Sequence, residues 1–108
     1  MSLENLEQSV TAWAKEKGIF NDPRPAKQWD KTIEETEEAI DAFEDLKNGV
    51  CSEENLKTEI GDILVTLIIQ LHMHGMSLES ALSAAFEKIS KRTGRMENGV
   101  FVKDGGQE

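Results

Sequence analysis

The segment LKTEIGDILVTLIIQL, residues 56–71, is the most apolar part of the chain and predicts a helix that is buried on every side. The aliphatic side chains that surround this helix are Ile60, Ile63, Leu64, Val65, Leu67, Ile68, Ile69 and Leu71. A helix that is apolar all round needs packing partners on all its faces. Its apolar run is too short to span a bilayer, and the rest of the chain is too short to enclose it. We therefore expect homo-oligomerisation to complete the core.

Three further helices are predicted around this segment, so the fold class is all-α, a four-helix bundle in one domain of residues 1–108. From their capping and stop residues, the four helices cover about residues 2–18, 26–47, 52–75 and 77–93. No part of the chain predicts a ladder of β-strands. The remainder, about residues 95–108, is predicted to be a partly ordered tail.

Composition restricts the partners that suit this chain. Its 108 residues carry a net charge of −9, which argues against nucleic acid or an anionic membrane as a partner. The charge suits cations, or an anionic ligand that arrives with cations. The single cysteine, Cys51, excludes an internal disulfide, and the acidic start of the chain shows no secretory signal. We expect a soluble, cytoplasmic protein.

The second helix carries seven acidic residues within TIEETEEAIDAFED, residues 32–45. At about 100° per residue, its apolar side chains share a stripe that we expect to face a core. The stripe consists of Ile33, Thr36, Ala39, Ile40 and Phe43. Most of the acids lie opposite, on a solvated face, but Glu35 and Glu38 form a separate row beside the stripe. These two carboxylates are the candidates for chemistry.

The third helix repeats this spacing with Glu59 and Asp62, at the start of its apolar segment. A buried carboxylate without a partner is costly, so such groups are usually paired or bound to a cation. Gly61 lies between them and leaves room for a neighbouring helix to approach. Two such pairs facing each other would form a site of four carboxylates. All-oxygen ligands select Mg²⁺ or Mn²⁺ over zinc.

Two segments together resemble the E-E-x-x-E then E-x-x-D signature of MazG-like nucleotide pyrophosphohydrolases, in the all-α NTP pyrophosphatase superfamily. They are KTIEETEEAIDAFEDLKNG, residues 31–49, and LKTEIGDILVTLIIQL. WAKEKGIF, residues 13–20, and KISKRTGRMENGVFVK, residues 88–103, are similar to the ends of small members. By this resemblance, the catalytic and magnesium-binding residues are Glu35, Glu38, Glu59 and Asp62. One departure is Glu37, where small residues are common in the family.

The resemblance implies hydrolysis of a nucleoside triphosphate between the α and β phosphates, in a homodimer or a dimer of dimers. Any one of Glu35, Glu38 and Glu59 could accept the proton of the attacking water. A narrower dUTPase or dCTPase remains open, as does a non-catalytic acidic interaction module. The candidate substrate contacts are Lys31, Trp29, Lys88, Arg92 and Lys103. Trp13 is expected to pack in the core, and His72 and His74 are expected to be structural.

Overall fold

Four helices and one β-hairpin make up residues 1–105, the part of the chain that this computed structural model describes. The elements are α1 (Leu3–Glu16), α2 (Pro25–Lys47), α3 (Glu53–Met73), α4 (Leu78–Ile89), β1 (Gly94–Glu97) and β2 (Val100–Lys103). The four helices confirm the predicted helical class. No single described helix is long and apolar enough to cross a membrane; α3 and α4 pass that test only when taken together, on length and composition alone.

Helix ends follow the local signals in the sequence. The Ser2 hydroxyl accepts a hydrogen bond from the Asn5 amide at 3.1 Å, and Ser52 does the same for Asn55 at 3.2 Å. Each serine therefore satisfies one of the amide groups that the first turn of a helix leaves unpaired. Helix α2 instead begins with Pro25, whose missing amide needs no partner at that position.

The hairpin is a correction to the sequence analysis, which predicted no strands. β1 and β2 are antiparallel, with Gly94 opposite Lys103 and Glu97 opposite Val100. Asn98 and Gly99 connect them with φ angles of 51° and 83°. Positive φ at both central residues is the geometry that Asn-Gly favours in tight hairpins, so the signal was present in the sequence. Residues 106–108 of the predicted tail lie outside the described residues.

The described chain divides into two units, one from Met1 to Leu78 and one from Glu79 onwards. The second unit contains most of α4 and the hairpin. In the first unit, α3 packs against both α1 and α2. The Gln70 side chain near the end of α3 reaches the Pro25 carbonyl at the start of α2, and Thr66 contacts Thr32. Helices α2 and α3 therefore run antiparallel.

The core of the first unit is built from small or branched side chains, and the large side chains of the apolar stripe predicted on α2 lie outside it. The buried hydrophobic residues are Ala14, Ala39, Ala42, Ile68 and Ile69. On α2, Ile33 and Ile40 are 56% and 55% exposed, so the prediction that they face a core is wrong for the chain by itself. Small residues on α2 face α3 instead, which lets the two backbones approach closely. On α3 itself, Ile60 and Leu64 are about half exposed, so this chain does not bury the helix on every side.

Candidate metal centre

Three carboxylates meet where α2 and α3 lie side by side. Glu35 and Glu38 are one turn apart on α2, and Glu59 comes from the first half of α3. One oxygen from each carboxylate lies within 4.8 Å of the other two. Glu35 and Glu59 are half-buried, whereas Glu38 is exposed. The antiparallel packing of the helices thus gathers acids that are more than twenty residues apart in sequence.

Two oxygens in this cluster lack a protein partner. Glu35 Oε2 and Glu59 Oε2 are buried and accept no hydrogen bond within the described residues. Such atoms are costly to bury unless a donor or a cation satisfies them. Because the atoms that could bind a metal here are all carboxylate oxygens, the cluster fits a hard divalent cation such as Mg²⁺ or Mn²⁺.

The surroundings of Glu35 raise its pKa above the ordinary value of 4.5. The largest cause is its hydrogen bond with Glu38, which the protonated Glu35 carboxyl donates. Burial and the negative charges of Glu38 and Asp62 act in the same direction, and the positive charge of Lys31 opposes them. Without a cation, the cluster therefore tends to retain a proton to reduce its repulsion.

Asp62 lies next to this cluster. It is one turn beyond Glu59 on α3, and it raises the pKa of Glu35 through its charge. It lines the same cavity as Glu35. The carboxylate oxygens that lie within 4.8 Å of one another belong to Glu35, Glu38 and Glu59. The structure therefore brings three of the four predicted ligands together. The fourth, Asp62, lies beside Glu35. A Cβ atom at Gly61 would meet nothing within 4 Å, so among residues 1–105 no neighbouring helix occupies the space expected there.

A cavity of about 580 Å³ opens beside the acids. Its lining residues are Trp13, Ile19, Asp22, Arg24, Lys27, Gln28, Lys31, Glu35, Asp62, Val65, Thr66, Ile69 and Met73. The lining includes acidic, basic and apolar side chains. This volume is typical of small-molecule sites, and so is the mixture of an apolar wall with a few polar groups.

A family model of the MazG nucleotide pyrophosphohydrolase domain matches residues 25–96. This chain belongs to the MazG nucleotide pyrophosphohydrolase family. The match confirms the resemblance drawn from the sequence, and the matched range includes all four proposed metal ligands. Comparisons with curated proteins and with solved structures found no significant match.

The substrate contacts predicted from the sequence are divided between the two units. Lys31 lines the cavity, and its Nζ atom pairs with Glu34 at 3.4 Å rather than with Glu35. Lys88 lies on α4, Arg92 follows that helix, and Lys103 ends β2. These last three cations belong to the second unit, and their role toward a substrate stays a prediction.

The aromatic residue at the cavity of this MazG domain is Trp13. The sequence favoured Trp29 over Trp13 as a surface on which a base could stack. Trp29 is 50% exposed and does not line the cavity, whereas Trp13 does and is 48% exposed. Helical spacing placed Trp13 on the inner face of α1, but it did not show that a cavity lies beside that face.

Two cations at the start of α2 were missed. Arg24 and Lys27 line the cavity together with Lys31. Their spacing of three and then four residues places all three on one helix face, a signal that the sequence did contain. Arg24 is also paired with Asp22, another lining residue, at 3.0 Å. The cavity lining therefore includes three cations in an otherwise acidic chain.

Proposed function

We propose that this protein hydrolyses nucleoside triphosphates to nucleoside monophosphate and pyrophosphate. The observation that carries the proposal is the cluster of Glu35, Glu38 and Glu59, whose unpartnered oxygens lie beside a cavity of small-molecule size. Family membership supports the same reaction class. Removal of unwanted nucleotides from the cellular pool is the biological role that we attach to it.

The four acids, Glu35, Glu38, Glu59 and Asp62, would hold Mg²⁺, with Mn²⁺ as a substitute. When bound, the metal neutralises phosphate charge and lowers the pKa of bound water. One of the three glutamates then accepts the proton of the water that attacks the α phosphorus. A half-buried cluster suits this role because its carboxylates are held close together and are partly shielded from bulk water.

The cavity offers separate surfaces for the two ends of the substrate. The indole of Trp13 and the apolar side chains of Ile69 and Met73 would contact the base. The positive charges of Lys27 and Lys31 would contact phosphate oxygens, close to Glu35 and Asp62. The lining is compatible with several bases, so we propose general nucleotide hydrolysis rather than a single preferred base.

We further propose that the active form is a homodimer or a dimer of dimers. Large apolar side chains remain about half exposed on α2 and α3 of a single chain. They are Ile33, Ile40, Phe43, Ile60 and Leu64. On α2 they recur at helical spacing and so form one continuous face. A continuous apolar face of this kind is characteristic of subunit interfaces.

A substrate panel tests the proposed reaction. Metal-free protein is supplied with Mg²⁺ and with each common nucleoside triphosphate in ¹⁸O-labelled water. We expect pyrophosphate as the product and the label in the monophosphate. Activity confined to dUTP or dCTP would identify the narrower enzyme. Stepwise release of orthophosphate, or no turnover of any nucleotide, would contradict the proposal.

A further inference from the structure

A pair of buried hydroxyl groups joins α2 to α3 next to the acids. Thr32 and Thr66 are 9% and 5% exposed, and their Oγ1 atoms are 2.9 Å apart. Thr66 Oγ1 donates its one hydrogen to the Ile63 carbonyl at 2.7 Å. The Thr32 hydroxyl therefore donates to Thr66 across the helix boundary, because its other acceptor, the Gln28 carbonyl, is farther away at 3.4 Å. Each hydroxyl has one hydrogen, so the shorter contacts set the direction of this chain of hydrogen bonds.

Two glutamine side chains strengthen the same contact. Gln28 Nε2 donates to the Thr66 carbonyl at 3.0 Å, and Gln70 Nε2 donates to the Pro25 carbonyl at 3.2 Å. We call this group of four side chains the polar clamp; it consists of Gln28, Thr32, Thr66 and Gln70. Its hydrogen bonds link the first two turns of α2 to the last two turns of α3. Directional bonds of this kind define the register of two helices more narrowly than apolar contacts do.

The polar clamp lies immediately beside the candidate metal centre. Thr32 is one turn before Glu35 on α2, and Thr66 is one turn after Asp62 on α3. Beyond the acids, Ala39 and Ala42 are buried on α2, whose main packing partner is α3. The carboxylates repel one another across the two helices, so the neighbouring contacts must hold the helices together there.

We infer that Thr32 and Thr66 are positioning residues, which set the spacing between the two carboxylate pairs and thereby favour Mg²⁺ over larger cations. The inference rests on the proposed function, because it assumes that the four acids bind a metal. Mg²⁺ requires nearly octahedral ligands at about 2.0–2.1 Å, whereas Ca²⁺ accepts about 2.3–2.6 Å and irregular geometry. Loosening the contact between the helices therefore harms Mg²⁺ binding more than Ca²⁺ binding.

Calorimetric titration of the metal-free full chain with Mg²⁺ and with Ca²⁺ tests this inference. Thr32→Val removes the hydroxyl and retains the shape of the side chain. We expect a loss of about tenfold in Mg²⁺ affinity, the lower end of the range for residues that orient metal ligands, and a smaller loss for Ca²⁺. Thr32→Ser retains the donor and should restore the wild-type ratio of the two affinities.

Thr36→Val is the matched control. Its hydroxyl donates to the Thr32 carbonyl within α2 at 2.8 Å and makes no bond to α3. We expect both affinities to equal those of the wild type. Thermal melts followed by circular dichroism identify a titration temperature at which every variant is folded. Thr32→Ala provides the same test if valine does not fit between the helices.

The outcomes separate the two proposals. If wild-type protein binds neither cation, the proposed function fails, and the inference fails with it. If the wild type binds Mg²⁺ and Thr32→Val behaves like Thr36→Val, only the inference is overturned. Equal losses for Mg²⁺ and Ca²⁺ also overturn it, because they would indicate general loosening rather than control of ligand spacing.

Discussion

At the scale of single residues, the carboxylates of this protein differ in what surrounds them. Glu37 is exposed on the outer face of α2. Glu35 and Glu59, where α2 meets α3, each have one buried oxygen without a hydrogen-bond partner among the described residues. Glu7 is a third case, a buried carboxylate whose Oε2 atom accepts hydrogen bonds from two protein groups. Position along the chain does not distinguish these acids, but their partners do.

Glu38→Gln and Asp62→Asn should each reduce turnover by more than about a hundredfold, a larger loss than removal of a merely orienting group causes. Each change removes one proposed ligand. It also removes one negative charge from a repulsive cluster, so the melting temperature should stay the same or rise. Pyrophosphate release and thermal melts measure the two effects. The control is Glu37→Gln, and equal loss of activity in this control would contradict the assignment.

Glu7 should make stability depend on pH. Its Oε2 accepts hydrogen bonds from the Leu78 amide at 2.8 Å and from His72 Nε2 at 2.6 Å. The Leu78 amide, and then His72, lower the pKa of Glu7 below its ordinary value of 4.5, against the opposing effect of burial. A lowered folded-state pKa contributes stability above pH 4.5, and that contribution is lost as the pH falls through the folded value.

Glu7→Gln should therefore cost about 1.5–3 kcal/mol at neutral pH, the usual contribution of a hydrogen bond to a charged group. The difference from wild type should shrink as the pH falls below 4.5. Denaturant unfolding at several pH values measures it. Glu4→Gln, an exposed change in the same helix, should show little pH-dependent difference. A wild-type advantage that stayed constant down to pH 3 would disprove this role for Glu7.

At the scale of elements, the pairing of α2 with α3 depends on small side chains. Ala39 and Ala42 are 7% and 5% exposed, and the Cys51 thiol donates to the Ala42 carbonyl at 3.2 Å. With the polar clamp on the other side, these contacts enclose the acids between two stretches of close packing. The candidate metal centre therefore depends on the separation of two helices and not on a loop.

Ala42→Leu should destabilise the protein by about 1–3 kcal/mol, because a larger side chain overfills this contact. It should also lower metal affinity, since it spreads the helices that carry the ligands. Denaturant unfolding and Mn²⁺ titration measure these effects. Ala12→Leu, at an exposed position of α1, is the control and should change neither quantity. An equal effect of the two substitutions would argue against a tight contact at Ala42.

At the scale of the whole molecule, the chain leaves many large apolar side chains exposed, because its own helices and strands do not cover them. Ile40 on α2 is 55% exposed, and Leu64 on α3 is 50% exposed. The core of the first unit contains few large buried side chains. Association of two chains would bury these faces and enlarge the core in the same step.

Ile40→Lys and Leu64→Lys should convert an assembled form into a monomer of about 12.1 kDa. Both side chains are exposed in the single chain, so the substitutions should not disturb its internal packing. Light scattering coupled to gel filtration reports the mass, and Val50→Lys, at a 73% exposed turn position, is the control. A wild-type protein that is monomeric and active at micromolar concentration would refute the proposed assembly.

Short-range signals in the sequence determined the helices, their serine caps and the two pairs of acids at i,i+3 spacing. They also contained the Asn98-Gly99 turn, which the sequence analysis overlooked. These features depend on neighbours within about one or two turns, so periodicity and capping rules can reach them. The match to residues 25–96 confirms the family that those segments indicated.

Long-range packing determined the rest. Periodicity showed that α2 has an apolar stripe, but the chain by itself buries only Ala39 of that stripe and leaves its large side chains, Ile33, Ile40 and Phe43, exposed. The hydrogen bond from Thr32 to Thr66 and the partners of Glu7 depend on residues 34 or more positions apart in the chain. No local pattern specifies which face of a helix meets which neighbour, because that choice depends on the fit of all the helices together.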